Sequence, residues 1–79
     1  LLEQELESEL IRNIEELPLE CRTVFKKNRF EQKKYEEIAI ELNISVNTVK
    51  YHMKKALSCL QQRMEKYLKL LVLYVFLGN

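Results

Sequence analysis

The sequence predicts an all-α domain of four helices, with an extended last helix. Three observations carry this reading. Gly and Pro each occur once in 79 residues, which leaves few places for the tight turns of a sheet. Apolar residues recur every three or four positions, the period of a helix with one buried face. Residues that start or stop helices, Pro18, Asn43 and Ser45, stand where those periods break. The whole chain, 1–79, reads as one small domain, in which each buried side chain matters because the core is small. It begins at Leu1 and not at Met, so it is expected to be one domain of a longer protein.

In the first helix, Leu2, Leu6, Leu10, Ile14 and Leu17 form the apolar stripe and the glutamates take the other face. The helix is expected to end at Leu17, because a residue before proline is pushed out of the helical region. Pro18 suits the first turn of a second helix, where its missing N–H costs nothing. That helix is expected over residues 19–30, with Cys21, Val24 and Phe25 in the core and Arg22, Lys26, Lys27 and Arg29 on the exposed face. A polar link, residues 31–34, leads to a short third helix over residues 35–42, with Ile38, Ala39 and Leu42 on its apolar face. Asn43 accepts the left-handed angles that close a helix. Ile44 fits a buried turn, and the Ser45 hydroxyl can cap the fourth helix by accepting a free N–H near Asn47 or Thr48. Val46, Val49, Met53, Ala56, Leu57 and Leu60 form the inner stripe of that last helix. No breaker precedes Gly78, so the helix is expected to run on for many turns.

The net charge of +1 conceals an asymmetry. Residues 1–20 carry seven Glu against one Arg, a net of −6; the remainder carries twelve Lys or Arg against five Glu, a net of +7. Such a chain can present a basic face to phosphate while its first helix repels it. The two cysteines, Cys21 and Cys59, form no CxxC and stand near no His cluster, so no zinc site is expected. They read as small buried hydrophobes in a reducing cytoplasm. His52 is the one histidine. With no second ligand or nucleophile beside it, neither catalysis nor a cofactor is expected, and His52 is placed at the edge of the helix-turn-helix crossing or near the DNA backbone.

The segment Tyr35-Glu-Glu-Ile-Ala-Ile-Glu-Leu-Asn-Ile-Ser-Val-Asn-Thr-Val-Lys has the spacing of a helix-turn-helix, expected over about residues 35–60. Ala39 supplies the small residue where the helices cross, Asn43 the left-handed turn, Ile44 the plug, and Val49 the contact back onto the first helix. Asn47, Thr48, Lys50, Tyr51, Lys54 and Lys55 then point away from Val49 and Met53. Hydrogen-bonding side chains at the start of such a helix reach base edges in the major groove of double-stranded DNA. Asn47 can pair with adenine, and Lys50 or Lys54 with guanine. Lys33, Lys34 and Tyr35, at the start of the third helix, are expected to meet phosphates. Arg29 and Lys26 are weaker candidates for the same role.

Residues 14–25, Ile-Glu-Glu-Leu-Pro-Leu-Glu-Cys-Arg-Thr-Val-Phe, followed by the segment from Tyr35 to Lys50, resemble region 4 of bacterial sigma factors. The similarity is greatest to the extracytoplasmic-function group and covers roughly residues 10–66. The Leu17-Pro18 pair, Arg22 and Val24-Phe25 are its most discriminating part. The resemblance implies a non-enzymatic domain that binds the minus-35 promoter element and the β flap of RNA polymerase, with an anti-sigma factor as a further partner. It implies base contacts from Lys50, Tyr51, Lys54 and Lys55, and backbone contacts from Tyr35, Ser45, Asn47 and Thr48. Asn43 departs from the usual Gly of the turn, and Lys stands where the family often has Arg, which weakens the case for bidentate guanine contacts. Residues 45–57, with Thr48-Val-Lys-Tyr-His, also resemble the helix-turn-helix of LuxR-type response regulators. Those domains lack the Leu-Pro-led preceding helix in this form, which favours the sigma reading. A helical protein-interaction domain with an incidental basic face is the alternative from another class.

From Leu70 to Leu77 the chain is apolar at all eight positions, within a tail of residues 68–79. A bilayer span needs about 20 residues, so no membrane span is expected. An all-apolar segment must be covered. The candidates are the first helix, another chain (a second copy in self-association, the rest of a sigma factor, or an anti-sigma factor), or a membrane surface.

Overall fold

The computed structural model describes residues 2–65 and is all-helical over them, in the order α1 (Leu2–Glu15), α2 (Leu19–Arg29), α3 (Tyr35–Leu42) and α4 (Val46–Arg63). The tail at residues 68–79, on which the expectation of an apolar cover rests, lies outside the described residues.

α4 is the element the others pack on; α1, α2 and α3 each contact it, and α2 also contacts α3. Its stripe of Val49, Met53, Ala56 and Leu60 is buried, with Val46 and Leu57 partly so. Leu10, Ile14 and Leu17 meet it from the α1 side, Cys21, Val24 and Phe25 from α2, and Ile38 and Ala39 from α3. Phe25 is the largest of the fully buried side chains and stands edge-on to Phe30 at 6.4 Å between ring centres. Burial of such side chains contributes about 1.5–3 kcal/mol each, and together they hold a domain that no disulfide ties.

The boundaries differ from expectation in four places, each for a local reason. α1 ends at Glu15, two residues early, because the N–H groups of Glu16 and Leu17 turn back to the carbonyls of Asn13 and Ile14 in tighter three-residue bonds. Leu17 is still buried, but as a corner residue. Pro18 stands just before the first turn of α2, with ψ at 145°, and its carbonyl accepts the Arg22 N–H. α2 stops at Arg29, and Phe30 is its half-exposed C-cap. α4 closes at Arg63, with Met64 as C-cap at φ −114° and ψ 33°; the rest of the run expected toward Gly78 lies outside the described residues.

The joints of the second half follow the sequence closely. Asn43 has φ 55° and ψ 47°. Its N–H and that of Ile44 return to the carbonyls of Ile40 and Ala39, the paired bonds by which a left-handed residue seals a helix end. Ser45 then caps α4: its Oγ accepts the Thr48 N–H at 3.0 Å. Two residues separate Asn43 from Val46, so α3 and α4 meet across a short, fully bonded turn.

Candidate nucleic-acid interface

The exposed face of α4 follows from 100° per residue. Asn47, Tyr51, Lys54 and Ser58 lie along its middle, opposite Val49, Met53, Ala56 and Leu60. Lys50 and Lys55 flank it on opposite edges. All six side chains are exposed, Tyr51 at 58%. Its ring packs edge-on against His52, 5.6 Å between centres, which steadies a large side chain at the surface. No acidic side chain among the described residues pairs with Lys50, Lys54 or Lys55. Ser58 was not foreseen; its helical phase with Lys54 was the available signal.

The N-termini of α3 and α4 supply a second set of groups. Ser45 Oγ and Thr48 Oγ1 are 2.9 Å apart. The two hydroxyls own two protons and spend one on each other, so one O–H remains to donate outward, in the manner of a phosphate contact. At α3 the Lys34 N–H donates to Glu37 Oε1 at 2.7 Å. Lysine has no acceptor to return the favour, so this is half a capping box. The Lys34 ammonium is exposed, and Tyr35 is half-buried against the core. The link before them is held by Asn28, whose Nδ2 donates to the Lys33 carbonyl at 3.0 Å, and by a left-handed Gln32 at φ 57°.

Of the remaining cations among the described residues, all but Arg29 are occupied within the fold. Lys33 reaches Glu41 at 2.6 Å and Glu31 at 3.2 Å. The hydrogen bonds that its ammonium donates to those carboxylates, Glu41 first, raise its pKa above the ordinary lysine value. Glu41 also takes Lys27 at 2.9 Å, and its two lysines, Lys33 before Lys27, hold its carboxyl below the usual range. On the other side, Lys26 and Arg22 pair with Glu15, and the Lys26 hydrogen bond is the main cause that lowers the Glu15 pKa. The Arg22 guanidinium donates to the Glu15 carbonyl as well, at 2.8 Å. Arg29 turns inward, with Nε and Nη1 buried and without an acceptor among the described residues. The exposed basic face expected on α2 is therefore a set of half-buried struts between helices. Of the three basic and aromatic residues expected to meet phosphate at the start of α3, Lys33 has its charge already engaged.

Cys21 Sγ lies 3.8 Å from His52 Nδ1, so His52 faces α2 and not only the α3–α4 crossing at whose edge it was expected. Burial pushes the Cys21 thiol pKa up, which keeps it a neutral thiol and a poor nucleophile. Cys59 is half-buried, not fully buried as expected. No group of three or more His, Cys, Asp or Glu among the described residues is placed to hold a metal ion, and no described helix is long and apolar enough to cross a membrane.

The geometry is that of a short helix, α3, joined across a tight turn to α4, which presents cations outward. The comparisons with known proteins agree with it. No curated protein and no solved structure matches the chain. The family model described as "Sigma-70, region 4" matches residues 7–60, which takes in most of α1, all of α2 and α3, and α4 as far as Leu60. Membership implies a DNA-binding domain of a transcription-initiation factor and not a catalytic one. On that match, over a helix-turn-helix closed by Asn43 and capped by Ser45, the chain belongs to the sigma-70 region 4 family.

Proposed function

We propose that this domain reads the minus-35 promoter element as the DNA-recognition module of an extracytoplasmic-function sigma factor, working in the cytoplasm within RNA polymerase holoenzyme. One observation supports this most. Lys50, Lys54 and Lys55 stand exposed on α4 with no acidic partner among the described residues, while Arg22, Lys26, Lys27 and Lys33 are tied to carboxylates. Unpaired charge held on one face of a groove-sized helix attracts a polyanion. Lys50, Tyr51, Lys54 and Lys55 take the base edges. Lys34, Tyr35, Ser45, Asn47 and Thr48 hold the phosphates, and Lys33 joins them only by leaving Glu41. The β flap of the polymerase and an anti-sigma factor are the protein partners in this reading. The Leu17-Pro18 corner that opens α2 supports the extracytoplasmic-function group over other regulators.

Duplex binding measured over a range of salt concentrations tests the reading. Affinity should fall steeply and linearly on a double-logarithmic plot as counterions are displaced. Lys50→Ala should cost about 1–3 kcal/mol on a selected promoter duplex if it reads a base, and much less on random DNA. An equal loss on both makes Lys50 a phosphate contact. Binding that ignores salt and survives loss of both Lys50 and Lys54 sinks the proposal.

A further inference from the structure

A groove of about 510 Å³ runs along α1 and ends at Phe30, lined by Glu3, Leu6, Glu7, Leu10, Ile11 and Phe30. Two of its apolar side chains are large and half exposed, Ile11 at 50% and Phe30 at 47%. It uses no residue of α3 or α4, so it is separate from the proposed DNA-reading face. We propose that this groove is the docking site of the chain's own apolar segment, residues 70–77.

Reach, charge and concentration favour that occupant. The Arg63 guanidinium pairs with Glu16, just past the C-terminal end of α1, and Met64 is buried in the same core as Leu10 and Ile14. α1 rises about 1.5 Å per residue, so Ile11 lies about 8 Å and Leu6 about 15 Å back along it from Glu16. The five residues 65–69 can span up to about 17 Å. Residue 70 can therefore arrive over the groove, and the segment after it can follow the groove toward Glu3. Lys69 immediately precedes the segment, with no acidic side chain after Glu65, and Glu7, one turn beyond Ile11, edges the groove and is exposed. A tether this short gives an effective concentration of about millimolar, which a second copy does not match in dilute solution. The docking covers the half-exposed Ile11 and Phe30 side chains and leaves the outer face of α4 uncovered.

Nuclear Overhauser contacts in the intact chain test this directly. Ring protons of Tyr74 or Phe76 should show contacts to Leu6, Ile11 or Phe30, unchanged over an about tenfold range of protein concentration. A mixture of labelled and unlabelled chains should show none between molecules. Absence of such contacts overturns the proposal, and so do contacts found only between molecules, which make the occupant a second copy. A variant adds an independent readout. Ile11→Glu should speed amide exchange at residues 70–77 about tenfold or more while Met53 and Leu60 keep their protection. Unchanged exchange in the segment with α4 intact overturns the proposal. Should Ile11→Glu fail to fold, the contacts in the unaltered chain decide. Duplex affinity is not involved, so failure here leaves the DNA reading untouched, and the reverse holds.

Discussion

α2 and α4 each carry a row of cations, Arg22, Lys26, Lys27 and Arg29 on the first, Lys50, Lys54 and Lys55 on the second. In sign of charge and helical spacing the rows are alike. In the fold, α2 lies between α1 and α3, whose Glu15 and Glu41 close on its lysines and on Arg22. The first turns of α4 have no neighbour on their outer side, and their lysines meet no carboxylate among the described residues. A charge that already holds a counter-charge gains little from a phosphate, since the first pair must be given up. The contrast teaches that a basic patch is defined by what its cations are not already bound to, and a count of lysines does not reveal that.

The sharpest way to break this comparison is to remove one lysine from each row. Lys54→Ala should weaken binding to a selected promoter duplex by about 1–3 kcal/mol, whereas Lys26→Ala should leave it nearly unchanged; equal losses in a titration refute the division. Next in size is the cap that fixes how α4 is presented. Ser45→Ala removes the acceptor of the Thr48 N–H and should cost about 1 kcal/mol of stability, read as a lowered thermal midpoint. Glu41→Gln should release Lys27 and Lys33. The salt slope of DNA binding should steepen by up to about one for each lysine that then reaches a phosphate, and an unchanged slope would show that the pair lies beyond the DNA's reach.

The smallest effect is that of pH. Glu15 and Glu41 titrate below the ordinary carboxylate value in the folded chain. A depressed carboxylate stabilises the fold above its unfolded pKa, and that contribution is lost as pH falls through the folded value. Stability should be level near neutrality and decline as the solution is acidified from the ordinary glutamate pKa, about 4.3, downward. Chemical denaturation at stepped pH should show a weaker decline in a Glu15→Gln, Glu41→Gln double variant.

Much of the fold was legible because its signals are short in sequence. The limits of α3, the left-handed Asn43 and the Ser45 cap each depend on residues within four of one another. The inner stripe of α4 was legible for the same reason, since it is one period repeated. Of the helix ends read least well, Leu17 lies where tighter three-residue bonds replace the helix, Pro18 stands one place before α2, and Phe30 keeps its bond to the Lys26 carbonyl as a C-cap. The candidate reading face was named from phase alone, and the structure leaves its side chains exposed except Thr48, which is half-buried. The misreading fell on α2 and Lys33, whose partners stand at 11, 14 and 8 residues' remove: Lys26 with Glu15, Lys27 with Glu41, and Lys33 with Glu41.

By itself, then, the sequence determined the local events, because helix period, proline geometry, a left-handed Asn and a hydroxyl cap act through neighbours along the backbone. It also determined which residues point together on one helix. The tertiary structure alone decided which charges cancel, as in Arg63 with Glu16, 47 residues apart, and so which cations remain for a partner. Coulomb attraction depends on distance through space, and that distance is set only once α1, α2 and α3 have packed on α4.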